Sequence, residues 1–586
     1  MGIDRRAFCL SAAGSAGLFV SGRSETAIAQ SSIKGPEKQP GRELLADLVI
    51  IGGGLGGCAA AIAALRNGLR VVMTEETDWI GGQLTAQGVP TDEHRWIETH
   101  GANSSYQELR KRIRDYYRRN YPLLDAARSK LNLNPGNGNV SRLCQEPRVA
   151  LAVLEALMTP YQASGQMLLL TEHRAISADV EHDQVLAVQV RSMRSGRNRV
   201  LVGKYFVDAT ELGDLLPLTG TEFVTGSEAQ SETHEIHAPK KADPNNQQAF
   251  TMCFAVDHLT GEDHTIDKPD EYSFWRKFVP KMTPPWPGKL LDFTYTHPRS
   301  GKPKRLGFSP TGGRTLNGAL NLWTYRRLID ASQFEPNSFP GDISLINWPQ
   351  NDYVLGNLIG VSEEESRRHI DRAKQFSLSL LYWLQTEAPR PDGGTEFPGL
   401  RLRPDIMGTE DGLAKTPYIR ESRRIRAEFT VLEGHVGREN RAIMKLLEDH
   451  TGRQTPAILR SAVQAAEFPD SVGVGSYGID LHPSSGGDNY IDFESLPFQI
   501  PLGALLPVRV QNLIPACKNI GTTHITSGCY RLHPVEWGIG EAAGCLVSFA
   551  LSENLSPHTI RNTAQRLESF QKFIRQQGVE TEWQRG

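Results

Sequence analysis

Apolar runs that suit buried strands alternate along this chain with stretches whose apolar residues recur every three or four positions, as a helix requires. The first run, Asp47-Leu-Val-Ile-Ile51, leads straight into Gly52-Gly-Gly54-Leu-Gly-Gly57. A small-residue stretch from Ala59 to Leu65 predicts a helix, and Gly68 suits its C-terminal cap. Leu69 to Thr74 then predicts a second strand that delivers Glu75. These are the parts of a βαβ dinucleotide-binding unit in order. Gly52 permits the tight turn, Gly54 lets backbone approach a pyrophosphate, and Gly57 lets helix and strand pack closely. Glu75 stands 23 residues after Gly52, where an acid accepts hydrogen bonds from a ribose.

The same glycine spacing recurs at Gly473, Gly475 and Gly478 in a different setting. It follows Phe468-Pro-Asp-Ser471 and runs into Ile479-Asp-Leu-His-Pro483, which predicts a turn-rich loop. One dinucleotide fold is therefore expected, and a fixed NAD(P)H partner is not.

Elsewhere, Pro147 to Met158 reads as an amphipathic helix, and Met167–Thr171, Gln184–Val190 and Arg199–Phe206 read as strands. Ser195-Gly-Arg-Asn198 fits a hairpin turn. Tyr106 to Arg119 mixes basic and aromatic residues at helical spacing and predicts a solvated helix face. From about Gly226 to Asp470 prolines multiply, and five of the nine tryptophans fall there, which predicts core and interface positions. A long helix is predicted from Ser362 to about Glu387, with Ser362 and Glu365 forming a capping box. The strand and helix pattern of the first segment returns near Gln499 and includes Asn512–Ala516 and a helix from Gly540 to Leu551.

The predicted class is α/β. A Rossmann-like domain is built from both ends of the chain, as residues 46–222 and 471–560, with an inserted α+β substrate or cap domain at 223–470 and a helical tail at 561–586. Residues 30–45 read as a linker. Residues 1–29 read as an export signal: Arg5-Arg6 precede a mildly apolar run, and Ala27-Ile28-Ala29 offers a cleavage site. Paired arginines there resemble a twin-arginine signal, which implies folded export to the periplasm.

Bulk composition narrows the functional classes. With 64 basic and 67 acidic residues in 586, there is no basic stripe for nucleic acid and no acidic tail. Cys58, Cys144, Cys253, Cys517, Cys529 and Cys545 form no Cys-x-x-Cys pair, so nothing local supports an iron–sulfur cluster or redox disulfide, and no metal site is expected. Long-range disulfide pairing stays open. Outside the signal, no stretch approaches the ~18 apolar residues of a membrane span.

Three segments separate flavin from nicotinamide. They are Trp79-Ile-Gly81-Gly82-Gln83-Leu-Thr85, Val207-Asp-Ala-Thr210-Glu-Leu-Gly213-Asp214, and Asn512-Leu-Ile-Pro-Ala516 followed by His524 to Pro534 and Gly538-x-Gly540-Glu541-Ala542-Ala-Gly544. With Ser344-Leu-Ile-Asn-Trp348, Tyr418-Ile-Arg-Glu-Ser-Arg-Arg-Ile425 and Tyr477-x-x-Asp480-x-His482, they resemble the glutathione-reductase-like FAD superfamily. The likeness is closest to a bacterial FAD-dependent oxidoreductase branch distantly related to fumarate reductase flavoproteins, and it extends over nearly all of the mature chain.

That resemblance implies FAD as cofactor. It places Gly52, Gly54 and Gly57 on the pyrophosphate and Glu75 on the adenosine ribose. Gly81, Gly82 and Gln83 lie along the flavin, and Thr210 and Asp214 near the cofactor's centre. Gly540, Glu541 and Ala542 begin a helix aimed at the flavin pyrimidine edge, where a helix N-terminus favours the reduced anion. Ala516-Cys517-Lys518 departs from the Ala-Gly-Arg common in relatives. Cys529, Tyr530, Glu536 and Trp537 are unusual and are expected to tune the pocket; His94 and His100 are expected to approach the flavin.

For the reaction, the flavin does the redox step and the protein manages one proton. The first candidates are Asp480 and His482, then His524, Arg531 and His533, because histidine takes a proton near neutral pH and a carboxylate orients it. Arg420 and Glu421 are candidates for ligand contact or an internal ion-pair network with Arg423 and Arg424. The expected activity is oxidation of a small alcohol, sugar or amine, with an unidentified electron acceptor as partner. The alternatives are a fumarate-reductase-like reductase of an unsaturated acid and a flavin electron-transfer protein.

Overall fold

A computed structural model describes residues 43–312, 315, 318–442 and 463–584. The predicted export signal lies outside the described residues. The predicted linker ends earlier than expected, because strand β1 (Glu43–Ile51) already begins at Glu43.

β1 is apolar where it is covered on both faces, and it pairs in parallel with β2 (Val71–Thr74) and β6 (Asn198–Asp208). Helix α1 (Leu55–Arg66) bridges β1 and β2 and is buried along almost its whole length. β3 (Met167–Leu170) extends the sheet beyond β2. On the other side, β4 (His173–Glu181) and β5 (Gln184–Ser192) form an antiparallel meander with the first half of β6. The second half of β6 pairs in parallel with β7 (Leu513–Pro515), so the two ends of the chain share one seven-stranded sheet. β4 has no counterpart in the sequence reading: its residues are mostly half-exposed and lack a clean alternation.

Helix α2 (His524–Tyr530) and helix α3 (His533–Glu553) follow β7. α3 crosses α1 at very short range. A Cβ on Gly540 would lie 2.0 Å from the Gly56 carbonyl oxygen, and one on Gly544 would lie 2.3 Å from that of Ala60. Only glycine lets these two backbones meet.

The segment between β6 and β7 builds its own core. A four-stranded antiparallel sheet runs in the order Arg327–Ile329, Ile343–Ile346, Phe254–His258 and Leu400–Leu402. The Glu363–Thr386 helix packs against it through Phe376, Leu380 and Leu384. Its N-cap is Ser362, whose hydroxyl accepts the Glu365 N–H at 3.1 Å, as the sequence predicts. Trp275, Trp286, Trp323, Trp348 and Trp383 are all buried in this core.

Two expectations are overturned. Gly473 and Gly475 lie not in a loop but in the buried strand Ser471–Gly475, antiparallel to Phe498–Pro501. The glycines make room for neighbours, since a Cβ on Gly475 would lie 2.6 Å from both Phe498 and Val535. The Ser104–Asn120 helix does not turn all of its basic stripe to water either: Lys111, Arg112 and Arg119 are exposed, but Arg110 and Arg114 are buried. Arg110 pairs with Glu93 at 2.8 Å and Glu98 at 2.7 Å, and Arg114 pairs with Glu98 at 2.6 Å. The six described cysteines are free and buried, and among the described residues no helix is long and apolar enough to cross a membrane.

Burial opposes ionisation of Glu98, but the hydrogen bonds and charges of Arg110 and Arg114 outweigh it and hold the carboxyl at about 2, below its ordinary 4.5. A carboxyl depressed in the folded state stabilises the fold above its unfolded value and loses that contribution as pH falls. Glu98→Gln is therefore expected to lower stability at neutral pH, with the deficit shrinking as pH falls from about 4.5 towards about 2. Denaturant unfolding across that range checks it, and a pH-independent deficit contradicts it.

Candidate active site

The turn after β1 is wedged against the end of β6. Gly52 has φ +95°, and a Cβ there would lie 2.4 Å from the Ala209 carbonyl carbon; one on Gly57 would lie 2.4 Å from the Gly52 oxygen. α1 opens at Gly54 without a side-chain cap of its own. Its first N–H groups and the positive end of its dipole are thus offered to an anion. Gly81 and Gly82 close over this turn in left-handed backbone, with the Gly81 N–H donating to the Gly53 oxygen at 2.7 Å. Glu75 reaches in from the end of β2, accepting the Gly53 N–H at 2.9 Å and the Thr77 N–H at 2.8 Å. Burial raises its carboxyl to about 7.

Charged groups from distant segments converge on the same turn. Glu536 of α3 accepts the Gly56 N–H at 3.1 Å, and Gln83 donates to Glu536 and, at 3.0 Å, to the Arg531 carbonyl. Lys518 pairs with Glu211 and lies 3.8 Å from Glu536 and 3.5 Å from the Cys517 sulfur. Glu211, Cys517 and Glu536 have donor atoms within 4.8 Å of one another, and the Lys518 ammonium already pairs with Glu211 there. Glu211 Oε1 is buried without a partner, 3.2 Å from the position of a Cβ on Gly54. A helix start that only glycine can line and the Glu75 carboxylate beside it fit the diphosphate and sugar portions of a dinucleotide.

Thr210 stands beside this cradle: its N–H and hydroxyl donate to Asp208 at 3.0 and 2.7 Å. Asp214 does not. It is 41% exposed and pairs with Arg423 at 2.8 Å. Gly540, Glu541 and Ala542 do not begin a helix; α3 starts two turns earlier, with Pro534 in its first turn. Gly540 serves the α1–α3 crossing, and Glu541 is turned to Arg66 at 2.7 Å and Asn103 at 2.7 Å.

A cavity of about 170 Å³ lies next to the cradle, linked to it through Gln83 and Arg531. Four sequence candidates meet there: Arg420, Asp480, His482 and Arg531. His482 Nδ1 lies 2.6 Å from Asp352 and Nε2 lies 3.5 Å from Asp480. A carboxylate only accepts, so Nδ1 carries the proton shared with Asp352 and Nε2 is the ring nitrogen left for chemistry. Asp352 is fully buried, with Arg420 at 3.0 Å and the Tyr490 hydroxyl donating at 3.1 Å. Burial opposes ionisation of Asp352 and Asp480, but Arg420 and His482 at the first, and His482 and Arg531 at the second, hold both carboxyls below the usual range.

Every arginine in the cavity wall is paired. Arg326 meets Asp92 at 3.1 Å, Arg420 meets Asp352 at 3.0 Å, and Arg531 meets Asp480 at 3.5 Å while donating to the Tyr418 hydroxyl at 3.1 Å. Tyr295, Tyr325, Tyr477 and Trp348 complete an aromatic wall.

The other three catalytic candidates sit outside this wall. His524 and Glu421 pair at 2.9 Å, and Arg424 joins Glu421 at 2.6 Å and Glu228 at 2.8 Å. This is the internal ion-pair network. Burial opposes the Glu421 charge, but His524 and Arg424 hold the carboxyl at about 2. His533 is fully buried behind Asp92, its Nδ1 accepting the Asp92 N–H at 3.0 Å, and burial lowers it to about 4. It stays neutral at pH 7. His94 and His100 pack with Trp96 and Trp583 instead of lining either site. Asp92, Arg326 and Tyr490 are wall residues that sequence reasoning missed, as is Asp352, which holds His482 from behind the wall. Asp352 is 130 positions from His482 and lies in no motif, so only the fold joins them.

A family model described as FAD dependent oxidoreductase matches residues 47–574. The chain belongs to this family: it is an FAD-dependent oxidoreductase. No curated protein matches it significantly. Among solved structures, L-proline dehydrogenase from P. horikoshii is 15% identical over 32% of this chain and 25% of that one, with a TM-score of 0.17. The flavin-dependent monooxygenase PieE, in complex with FAD and substrate, is 15% identical over 37% and 35%, with a TM-score of 0.21. A mutated FrdA of E. coli quinol fumarate reductase is 12% identical over 91% and 74%, with a TM-score of 0.32. The chain thus spans between a quarter and just over a third of the length of the first two.

FAD would be held by the cradle and Glu75. Glu75→Gln is expected to weaken FAD binding about tenfold or more, since a hydrogen bond to a charged group contributes roughly 1.5–3 kcal/mol. Flavin retained after dialysis, read by absorbance, checks it; unchanged affinity contradicts the ribose role.

Proposed function

We propose that the protein is a dehydrogenase or oxidase acting on a small, uncharged, hydroxyl-bearing molecule, with His482 as the base. The observation that carries this reading is the position of His482 in a cavity whose three arginines are each already paired with a carboxylate. A carboxylate substrate would have to share one of those arginines with the aspartate it already holds, since each keeps only its buried Nε without a partner. A hydroxyl group needs only an acceptor for its proton. The aromatic wall favours a compact ring or an apolar scaffold, including a sugar face.

The steps assigned to the chain are limited. FAD, when bound, supplies the acceptor for a hydride. His482 Nε2 takes the hydroxyl proton as the substrate carbon loses its hydrogen and becomes a carbonyl. Asp352 fixes the ring tautomer and stabilises the imidazolium that forms, and Arg420 and Tyr490 hold Asp352. Asp480 keeps its charge 3.5 Å from the same nitrogen, where it stabilises the proton that Nε2 takes up. The tyrosine and tryptophan walls exclude water from the reacting carbon.

We further propose that residues 1–29 direct the folded protein to the periplasm by the twin-arginine route. Replacing both Arg5 and Arg6 with lysine is expected to leave the protein in the cytoplasm; unchanged export on fractionation contradicts it.

His482→Gln is expected to slow anaerobic flavin bleaching by an alcohol or sugar about 10²- to 10⁴-fold, the range of general base catalysis. FAD content and reduction by dithionite should be unchanged. Asp352→Asn should move the pH profile of bleaching as well as slow it, because it alters the base through its partner. Wild-type bleaching by His482→Gln contradicts the assignment.

A further inference from the structure

The redox cavity, where His482 meets substrate, holds a polar group that no step of the reaction above uses. Asn347 follows the Ile343–Ile346 strand and lines the cavity, only 4% exposed. Its Oδ1 accepts from Arg420 at 3.2 Å. A guanidinium only donates, so the amide has one way to face it, and Nδ2 is the atom left over. That nitrogen is buried and has no partner. A buried donor without an acceptor is costly, and a ligand oxygen placed against it removes the cost.

The rest of the wall makes the same demand. Its buried side-chain atoms without partners are Nδ2 of Asn347, Nε1 of Trp348 and Nε of Arg326, Arg420 and Arg531, and all five are donors. A molecule that fills this space must bring oxygens. Charge does not require it to be an anion: Arg326, Arg420 and Arg531 face Asp92, Asp352 and Asp480 one for one. Asn347 is itself neutral, and an acid beside it would add a fourth carboxylate to three that are already matched.

The amide is also tied to the base. His482 Nδ1 lies 2.6 Å from Asp352, Asp352 lies 3.0 Å from Arg420, and Arg420 donates to Asn347. One network therefore fixes both the group that takes a proton and the group that offers one. At about 170 Å³ the cavity is below the ~300 Å³ at which ligand pockets ordinarily begin, which suits a single ring. Tyr295, Tyr325 and Tyr477 also line it, and among the described residues their hydroxyls have no hydrogen-bond partner. A phenol hydroxyl donates and accepts alike, as further hydroxyls on a ring require.

We propose that Asn347 sets the specificity of this site. Its Nδ2 donates to a second, uncharged oxygen of the substrate, so the substrate class is a ring with more than one hydroxyl, a cyclic polyol or a monosaccharide. The chemistry is that given above: the reacting carbinol gives its hydride to FAD and its proton to His482 Nε2. No bond to the second oxygen forms or breaks. The role in specificity rests on the oxidative reading above; the binding contact does not.

The test compares cyclohexanol with the 1,2-, 1,3- and 1,4-cyclohexanediols, which differ from it by one oxygen. In anaerobic bleaching of the FAD-loaded protein, at least one diol should exceed cyclohexanol about tenfold or more, since a site built to hydrogen-bond a hydroxyl rejects the analogue lacking it. In Asn347→Ala that ratio should fall towards one. Asn347→Asp keeps an acceptor for Arg420 but loses the donor, and should lower the ratio in the same way. Binding is read separately by calorimetry in His482→Gln, where bleaching is slow. The preferred diol should bind there about tenfold or more tightly than cyclohexanol, and adding Asn347→Ala should remove the difference. Equal rates and equal binding for cyclohexanol and all three diols overturn the proposal, as does a preference that survives in both Asn347 variants. Faster bleaching by 2-hydroxycyclohexanecarboxylate than by every diol overturns the uncharged class. If the binding preference appears but no hydroxyl compound bleaches the flavin, the oxidative reading fails and the Asn347 contact stands.

Discussion

The contact on which the rest depends is the crossing of α1 and α3 at Gly56 and Gly540. Two helices from opposite ends of the chain meet at backbone distance, and any larger side chain at Gly540 would strike the Gly56 oxygen at 2.0 Å. α1 carries the phosphate cradle at its N-terminus, and α3 carries Glu536 into that cradle. Directly before α3 come Arg531 and Leu532, which line the redox cavity. Fixing one helix on the other therefore fixes the cofactor's anchoring end against the place where substrate reacts. Overpacking here would spread strain to both sites, because close-packed interiors relax only partly.

Around that axis the protein has placed charge in matched groups. Lys518 answers Glu211 and Glu536 in the cradle; Arg326, Arg420 and Arg531 answer Asp92, Asp352 and Asp480 in the cavity; Arg424 and His524 answer Glu421 behind it. Buried pairs of this kind add little net stability, but removing one member leaves a charge that water cannot reach. They hold side-chain geometry instead. His482 is the group they leave for chemistry, clamped by Asp352 at 2.6 Å through Nδ1, with Nε2 at 3.5 Å from Asp480.

The β1–α1–β2 unit was legible in the sequence because its rules are local: an apolar strand, glycines at fixed spacing, an acid at the end of the next strand. Asp480, His482, Arg420 and Arg531 were legible as chemistry-bearing residues, and the fold collects them. Asp352 was not, since it lies in the inserted segment, 130 positions before His482, and their contact leaves no trace in spacing. Gly540 looked like a helix start because glycine clusters often mark turns; Pro534, which favours the first turn of a helix, was the better signal. Arg110 and Arg114 looked solvated because charge at helical spacing usually is. Their partners Glu93 and Glu98 lie in an irregular stretch upstream that no periodicity describes.

The most direct test of the central claim is anaerobic mixing of the oxidised, FAD-loaded protein with matched pairs of compounds: an uncharged alcohol and the 2-hydroxy acid that carries a carboxylate on the same carbinol carbon. With each arginine of the cavity already paired, the uncharged member of a pair should bleach the flavin and the acid should not. Bleaching by acids alone, or reoxidation of the reduced protein by an unsaturated acid, would contradict the account.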